Sequence, residues 1–281
     1  MSSLQFALAA MLLFGLGDLI YKRGAAAGAP AHQFLMVQSW LFAPSVVAYA
    51  ICTDSFRFVP GSAWGALAGF FILIGFYNFA ASLRSGSISI NAPVFRLSFV
   101  LTAALAVATL GEPLTVFKVG GIALALLAAW LLLGGPAGEA QRESRESLAR
   151  VLVATVAVGL GNFVYTLGLR AGATPGSLIV IQAAVVVTLA TSFVAFKDRR
   201  IGPAGPVLRY APMAAIVLAL AFAFMVEAMA RGEASIVVPI AQMGFVVTGL
   251  VGVVFLREIF SARKGAGIFA AAAALALLAH G

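Results

Sequence analysis

Charged side chains are scarce in this sequence. Only 10% of its 281 residues are Asp, Glu, Lys or Arg, whereas 62% are hydrophobic and the mean hydropathy is +1.06. Soluble globular domains carry roughly a quarter of their residues as charges, because polar side chains must cover the core. The composition therefore argues against a water-soluble fold and indicates an integral membrane protein.

Cysteine and histidine are almost absent as well. Cys52 is the single cysteine, which excludes a disulfide framework within the chain. His32 and His280 are the two histidines and lie far apart, so no spacing predicts a zinc site. The chain also lacks the GxxxxGK[ST] phosphate-binding motif of ATP-driven motors. We therefore expect no metal and no cofactor.

The net charge of +8 does not indicate a nucleic-acid partner. The basic residues stand singly beside apolar runs and form no stripe. Such flanking charges report membrane topology instead. We expect the lipid bilayer and a small-molecule substrate as partners, and the sequence leaves monomer and homodimer open.

Long apolar runs dominate what is present. A bilayer core about 30 Å thick requires roughly 20 apolar residues per helix. On that measure the sequence predicts an all-α fold with ten spans. A polar stretch at 135–147 separates a first half, 1–134, from a second half, 148–281. The predicted spans are 3–22, 32–52, 62–83, 88–110, 114–133, 149–169, 177–197, 207–230, 234–256 and 261–280.

The two halves repeat each other in sequence. The segment from Gly15 to Tyr21 (GLGDLIY) is echoed by Gly159 to Tyr165 (GLGNFVY). Ordered matches of Gly, Pro, Gln and Glu seldom arise by chance between unrelated apolar helices. The further matches include Gln38 with Gln182, Pro93 with Pro239, and Glu112 with Glu258.

Each half contains five spans, and five is an odd number. The second half therefore enters the membrane from the opposite side, which predicts two inverted five-helix repeats. Inverted repeats are typical of secondary transporters, whose substrate site lies near the midplane between the repeats. Duplication that merely enlarged a helix bundle is the alternative.

The fourth predicted span carries a recognisable pattern. Pro93, Arg96-Leu97-Ser98-Phe99 and Leu110-Gly111-Glu112 together resemble the EamA branch of the drug/metabolite transporter superfamily. The resemblance implies a cavity lined by spans one to four and six to nine, transport without ATP hydrolysis, and often export of amino acids or related metabolites. The second half departs from the pattern, since Gln242 replaces the arginine and Arg257-Glu258 replaces Gly-Glu.

Basic residues favour one side of the membrane. Thirteen Lys and Arg lie on the side reached at the end of span one, against four on the other side. This bias predicts that the richer side is cytoplasmic and that both termini face outside, in a bacterial inner membrane. Many members of the family have both termini inside, so the two arguments conflict. The four basic residues on the poorer side are Arg57, Lys118, Arg170 and Arg231.

Arg96 is the charge predicted to lie deepest, about 15 Å below the span end at 1.5 Å per residue. Ionisable groups at such depth are functional candidates. Its guanidinium could anchor a substrate carboxylate or phosphate. The alternative is a permanent structural pair with Asp18 or with helix-end carbonyls.

Asp18 lies about one turn from the end of span one. It could hold a substrate ammonium group or carry a coupling proton, or it could pair with Lys22 four residues on. A GxGD sequence at Gly15–Asp18 also occurs in intramembrane aspartyl proteases, but the second membrane aspartate which that chemistry requires is missing. We therefore expect no enzyme activity.

The repeat gives these charges neutral counterparts. Asp18 corresponds to Asn162, Arg96 to Gln242, and Gln38 to Gln182. Opposite charges on one half suit a zwitterion. The remaining predicted substrate-binding residues are Tyr77, Asn78 and Asn91.

Pro93 and Pro239 interrupt backbone hydrogen bonding at matched positions of spans four and nine. They are predicted hinges, and static curvature is the alternative. Tyr21 and Tyr165 are predicted gates or interfacial anchors. Glu227 is a second candidate proton carrier, although Arg231 lies within pairing distance at i+4.

The sequence therefore predicts a secondary transporter that moves a small polar or zwitterionic metabolite by alternating access. Export and proton coupling are expected. An uptake carrier and a translocator of amphiphiles such as lipid precursors are the alternatives within transport. An intramembrane enzyme and a non-transporting receptor or scaffold are the alternatives outside it.

Overall fold

The computed structural model describes residues 1–85, 88–133, 145–255 and 262–280. These residues form helices joined by short turns, and none of them lies in a strand. A single 3-10 turn, Pro60–Ala63, precedes the third helix. The α-helices are α1 Ser3–Ala26, α2 Ala31–Cys52, α3 Trp64–Ser85, α4 Ile88–Arg96, α5 Ser98–Leu110, α6 Val116–Leu133, α7 Arg145–Arg170, α8 Pro175–Asp198, α9 Gly205–Arg231, α10 Ala234–Gln242, α11 Gly244–Phe255 and α12 Ala262–His280.

Six segments of the described chain are long and apolar enough to cross a bilayer. They correspond to α1, α2, the 3-10 turn with α3, α7, α8 and α9. In the regions of the other four predicted spans the apolar helical stretches are shorter, with 10–17 residues each: Val94–Leu110, Val116–Leu131, Ala234–Val247 and Gly265–His280. The predicted polar linker at 135–147 falls outside the described residues up to position 144, and its last three residues already belong to α7.

The fourth and ninth predicted spans are interrupted rather than continuous. α4 gives way to α5 at Leu97, and α10 gives way to α11 at Met243. At both positions the backbone makes i→i−3 hydrogen bonds of 3.1 Å, from Leu97 N to Val94 O and from Met243 N to Ile240 O. Tighter turns of this kind replace the α-helical pattern locally. The interruption places Arg96 and Gln242 at the last residue of a helix.

The long helices pack in pairs that join the first part of the chain to the second. α1 lies against α9, α3 against α7, α2 against α8, and α6 against α12. Glycine allows the closest crossings. A Cβ on Gly15 would lie 2.5 Å from the carbonyl oxygen of Gly244, and one on Gly159 would lie 2.9 Å from that of Ser98. Such contacts let backbones approach as they do in other membrane helix pairs.

The turns that follow α1 and α7 have the same geometry. Gly28 and Gly172 adopt φ angles of +81° and +83°, which favour glycine because it lacks a Cβ. Gly28 N donates to Ala25 O and Gly172 N to Leu169 O, each at 3.0 Å. These turns reverse the chain so that α2 and α8 run back along the helices before them.

A buried carboxylate from outside the helix caps the N-terminus of α10. Glu112, which is 7% exposed, accepts hydrogen bonds from the backbone N–H groups of Ala234 at 3.0 Å and Ser235 at 2.8 Å. The first N–H groups of a helix lack partners within it, and a negative charge there is favoured by the helix dipole. The Lys118 ammonium donates to Pro113 O at 2.8 Å and also pairs with the Glu233 carboxylate. The α5–α6 connection therefore fixes the start of α10.

We predict that Glu112→Ala lowers the free energy of unfolding by about 1–3 kcal/mol, because two buried N–H groups lose their acceptor. Thermal unfolding in detergent measures the change. Glu146→Ala is the matched control, since Glu146 makes only an exposed i,i+4 pair with Arg150 and should change stability little. Equal effects of the two substitutions would contradict the capping role.

Candidate functional site

Arg96 and Asp18 form a buried ion pair between α4 and α1. The guanidinium Nε donates to Asp18 Oδ2 at 3.0 Å, and Nη2 donates to Oδ1 at 2.5 Å. The two side chains are 2% and 6% exposed. Two parallel charge-assisted hydrogen bonds of this kind fix the orientation of both groups. The sequence left two interpretations of Arg96, a substrate anchor and a structural pair with Asp18. This conformation shows the pair with Asp18.

Two further groups complete the surroundings of Arg96. Nη1 donates to Gln242 Oε1 at 2.6 Å, and Nη2 also donates to the Phe14 carbonyl at 3.3 Å. The rings of Phe14 and Phe95 lie 5.1 and 5.4 Å from the guanidinium carbon. Aromatic faces attract a cation at such distances. The structure therefore brings together three of the predicted site residues, Arg96, Asp18 and Gln242.

Asn162 has a different environment from Asp18, its counterpart in sequence. It is completely buried on α7, and neither Oδ1 nor Nδ2 has a hydrogen-bond partner among the described residues. A buried polar atom without a partner costs about 1–3 kcal/mol. Such groups in native proteins call for an explanation, such as a bound molecule or another conformation.

A small cavity opens between α2, α3, α8 and α9. Its volume in this conformation is small, about 30 Å³. The wall is mainly aliphatic and aromatic, as in most small-molecule sites. Its lining residues are Leu35, Gln38, Ser39, Phe42, Ile72, Leu73, Phe76, Gln182, Val186 and Phe222.

Each cavity glutamine is bound by a tyrosine from the preceding long helix. The Tyr21 hydroxyl donates to Gln38 Oε1 at 2.5 Å, and the Tyr165 hydroxyl donates to Gln182 Oε1 in the same way. Tyr21 and Tyr165 are 3% and 0% exposed. The two predicted gates therefore lie in the core as partners of two predicted binding residues.

Four phenylalanines, Phe14, Phe76, Phe95 and Phe222, separate the cavity from the ion pair, and we call them the aromatic layer. Phe76 and Phe222 line the cavity, with ring centroids 5.8 Å apart. Phe14 contacts Phe222 at 5.4 Å, and Phe95 contacts Phe76 at 5.6 Å. Because Phe14 and Phe95 also touch Arg96, the layer covers the guanidinium on its cavity side.

The other predicted binding residues lie away from this cluster. Asn78 donates to the Ile74 carbonyl of its own helix at 2.9 Å. Asn91 donates to Ser82 O at 3.2 Å and to Ser147 Oγ at 2.8 Å, and so ties α4 to α3 and α7. Tyr77 packs its ring against Phe193 of α8 at 5.5 Å.

Glu227 is buried and binds two more exposed side chains, Arg231 and Tyr49, away from the ion pair. Its Oε2 accepts from Arg231 Nη2 at 2.7 Å, and its Oε1 accepts from the Tyr49 hydroxyl at 2.9 Å. Pro239 lies inside α10, four residues before the interruption at Met243. Pro93 has the same place in α4, but its side chain lies outside the described part of the structure.

The aromatic layer is not identified in the sequence analysis. A signal was present, since Phe76 and Phe222 are separated by the same 146 residues as Pro93 and Pro239. The repeat register, extended to the third and eighth spans, would have paired them.

The model of the EamA-like transporter family matches residues 1–134 and 146–279. The chain belongs to this family, which is part of the drug/metabolite transporter superfamily. It is therefore a multi-pass integral membrane protein of a transporter family.

One solved structure, described only as a crystal structure of a protein, shares the fold of this EamA-family chain. It has a TM-score of 0.79 and 16% sequence identity, and the alignment covers 98% of this chain and 95% of the other. No curated protein matches the sequence at a significant level. This similarity supports the helical architecture and gives no information about the substrate.

We predict that Asp18→Asn destabilises the protein by about 3–5 kcal/mol, because it leaves a buried guanidinium without its counterion. The double variant Asp18→Asn with Arg96→Gln, which copies the neutral residues of the second half, should be clearly more stable than this single variant. Thermal unfolding in detergent measures both. A double variant less stable than Asp18→Asn would contradict the coupling between the two residues.

Proposed function

We propose that this protein is a secondary transporter that moves a small polar or zwitterionic metabolite by alternating access. The observation that carries the proposal is the composition of the cavity wall. Gln38 with Gln182 and Phe76 with Phe222 are counterparts in the sequence repeat, and all four line one cavity. A site with matched residues from both repeats can be exposed to either side of the membrane by the same motion run in opposite senses.

Ten spans in two inverted five-helix repeats are part of the proposal. In its support, the family model matches two ranges of equal length. The Tyr21–Gln38 and Tyr165–Gln182 hydrogen bonds, the turns at Gly28 and Gly172, and the interruptions at Leu97 and Met243 recur in register. A helix interrupted near a binding site is common in transporters of this type.

The ion pair supports a zwitterionic substrate. Arg96 offers donors to a carboxylate, and Asp18 offers acceptors to an ammonium group, so a zwitterion presents the same two charges that the pair presents to itself. Exchange requires the aromatic layer to move, because its rings separate the pair from the cavity. In this view the described conformation is one in which the charged groups are withdrawn from substrate.

Export and proton coupling remain predictions from the sequence. Asp18 and Glu227 are the two carboxylates proposed to carry a proton, and both are buried. A proton arriving at either must compete with a paired arginine, Arg96 or Arg231. Uptake and translocation of an amphiphile are the alternatives.

Reconstituted protein should catalyse counterflow of at least one compound from a panel of amino acids and related metabolites. The Asp18→Asn, Arg96→Gln double variant should lower that counterflow about tenfold or more, since hydrogen bonds to charged groups contribute strongly. Proteoliposomes with and without a pH gradient measure both the substrate and the coupling. Counterflow unchanged by the double variant would remove the ion pair from the mechanism, and no counterflow of any compound would contradict transport.

The proposed orientation, with both termini outside, can be tested on the native cysteine. Cys52 is exposed at the end of α2, on the same side as the N-terminus. An impermeant maleimide should therefore label Cys52 in intact cells of a bacterial host, and Cys52→Ala should abolish the label. Labelling that appears only after the cells are permeabilised would place the termini inside.

A further inference from the structure

The polar groups of the cavity wall are few and their hydrogen bonds can be followed. Gln38, Ser39 and Gln182 are the polar lining residues. The Ser39 hydroxyl donates to the Met36 carbonyl of its own helix at 2.7 Å, which uses its proton. The two glutamines are therefore the hydrogen-bond donors that the wall offers to a ligand.

The tyrosines determine which end of each glutamine remains available. Because Tyr21 and Tyr165 donate to the two amide oxygens, each amide is held with its oxygen toward the tyrosine and its NH2 group left to donate. Neither amide nitrogen has a hydrogen-bond partner within the described part of the chain. Unlike the buried side chain of Asn162, both glutamines line the cavity. The cavity thus presents N–H donors from both α2 and α8.

The rest of the wall carries no negative charge. The remaining lining residues are aliphatic or aromatic, and none is acidic. Asp18, whose carboxylate could attract a cation, is bound to Arg96 behind the aromatic layer. Phe42, Phe76 and Phe222 give an apolar body a surface to contact.

We infer that the cavity binds a molecule with an acceptor oxygen, as a carboxylate or a carbonyl, at one end and an apolar body at the other. Gln38 and Gln182 donate to the oxygen, and Tyr21 and Tyr165 are positioning residues that hold the two amides in the donating orientation. The inference rests on the proposed function for its assumption that this cavity is the substrate site. A donor pair with one member from each repeat lets either half retain the oxygen as the site changes sides.

Three probes with the same body test the inference. They are 3-phenylpropanamide, 3-phenylpropanoate and 3-phenylpropylamine, and their binding is measured by scintillation proximity on the full chain in nanodiscs. We expect the amide and the carboxylate to bind at least tenfold more tightly than the amine, because an ammonium group is only a donor. The order of the first two distinguishes a neutral from a charged acceptor. An amine that binds as well as the amide would overturn the inference.

Substitutions then test the two glutamines. Gln38→Met and Gln182→Met keep the side-chain length and remove the amide, so each should weaken binding of 3-phenylpropanamide roughly tenfold. Ser45→Ala and Thr188→Val are the controls on the same helices, because their hydroxyls bond only the backbone carbonyls of Leu41 and Ala184. Amide affinity that survives both methionine substitutions would overturn the inference.

The tyrosines provide a second test if a methionine variant is not monodisperse. Tyr21→Phe and Tyr165→Phe keep both amides and the cavity but free each amide to rotate, and should weaken amide binding several-fold. Affinities equal to the unmodified protein in both variants would overturn the positioning role. Binding of the probes without counterflow of any metabolite would contradict the proposed function alone, whereas counterflow insensitive to both glutamines would contradict this inference alone.

Discussion

The Arg96–Asp18 pair is the interaction around which the core of this protein is arranged. A guanidinium at such depth in an apolar bundle requires a counterion, acceptors for its remaining N–H groups and apolar contact for its faces. The counterion is Asp18, and the acceptors are Gln242 and the Phe14 carbonyl. The rings of Phe14 and Phe95 provide the apolar contact. One side chain therefore links α4, α1 and α10, and residues from both halves of the chain meet at it.

The interruptions at Leu97 and Met243 follow from the same requirement. Arg96 and Gln242 stand at the C-terminal ends of α4 and α10, where the negative end of the helix dipole favours a cation. A continuous helix would carry each side chain in its interior, where neighbouring turns limit its reach. The short helix α10 is then held at its other end by Glu112, whose carboxylate caps it from outside. The helix is therefore fixed at both ends.

Much of this could be predicted from the sequence because membrane helices leave strong one-dimensional signals. Apolar runs gave the long helices, and the repeat identified Asp18 with Asn162 and Gln38 with Gln182 as related positions. The sequence could not decide whether Arg96 faces substrate or Asp18, because that depends on which helices touch. Nor did it show that Tyr21 and Tyr165 bind the two glutamines, since a tyrosine near a predicted span end is equally typical of an interfacial anchor.

The buried ion pair lies in the first half of the chain and has no charged counterpart in the second half. Two copies of the pair would bury four ionised groups around one small cavity, and the desolvation cost of each would be several kcal/mol. With Asn162 and Gln242 in place of the acid and the base, the second copy costs only neutral polar burial, and Gln242 lends its oxygen to Arg96. Asn162 is then left without a partner in this conformation. A motion that brought a partner to Asn162 would recover that cost, whereas a motion that withdrew Gln242 from Arg96 would lose a hydrogen bond to a buried charge, which is worth more.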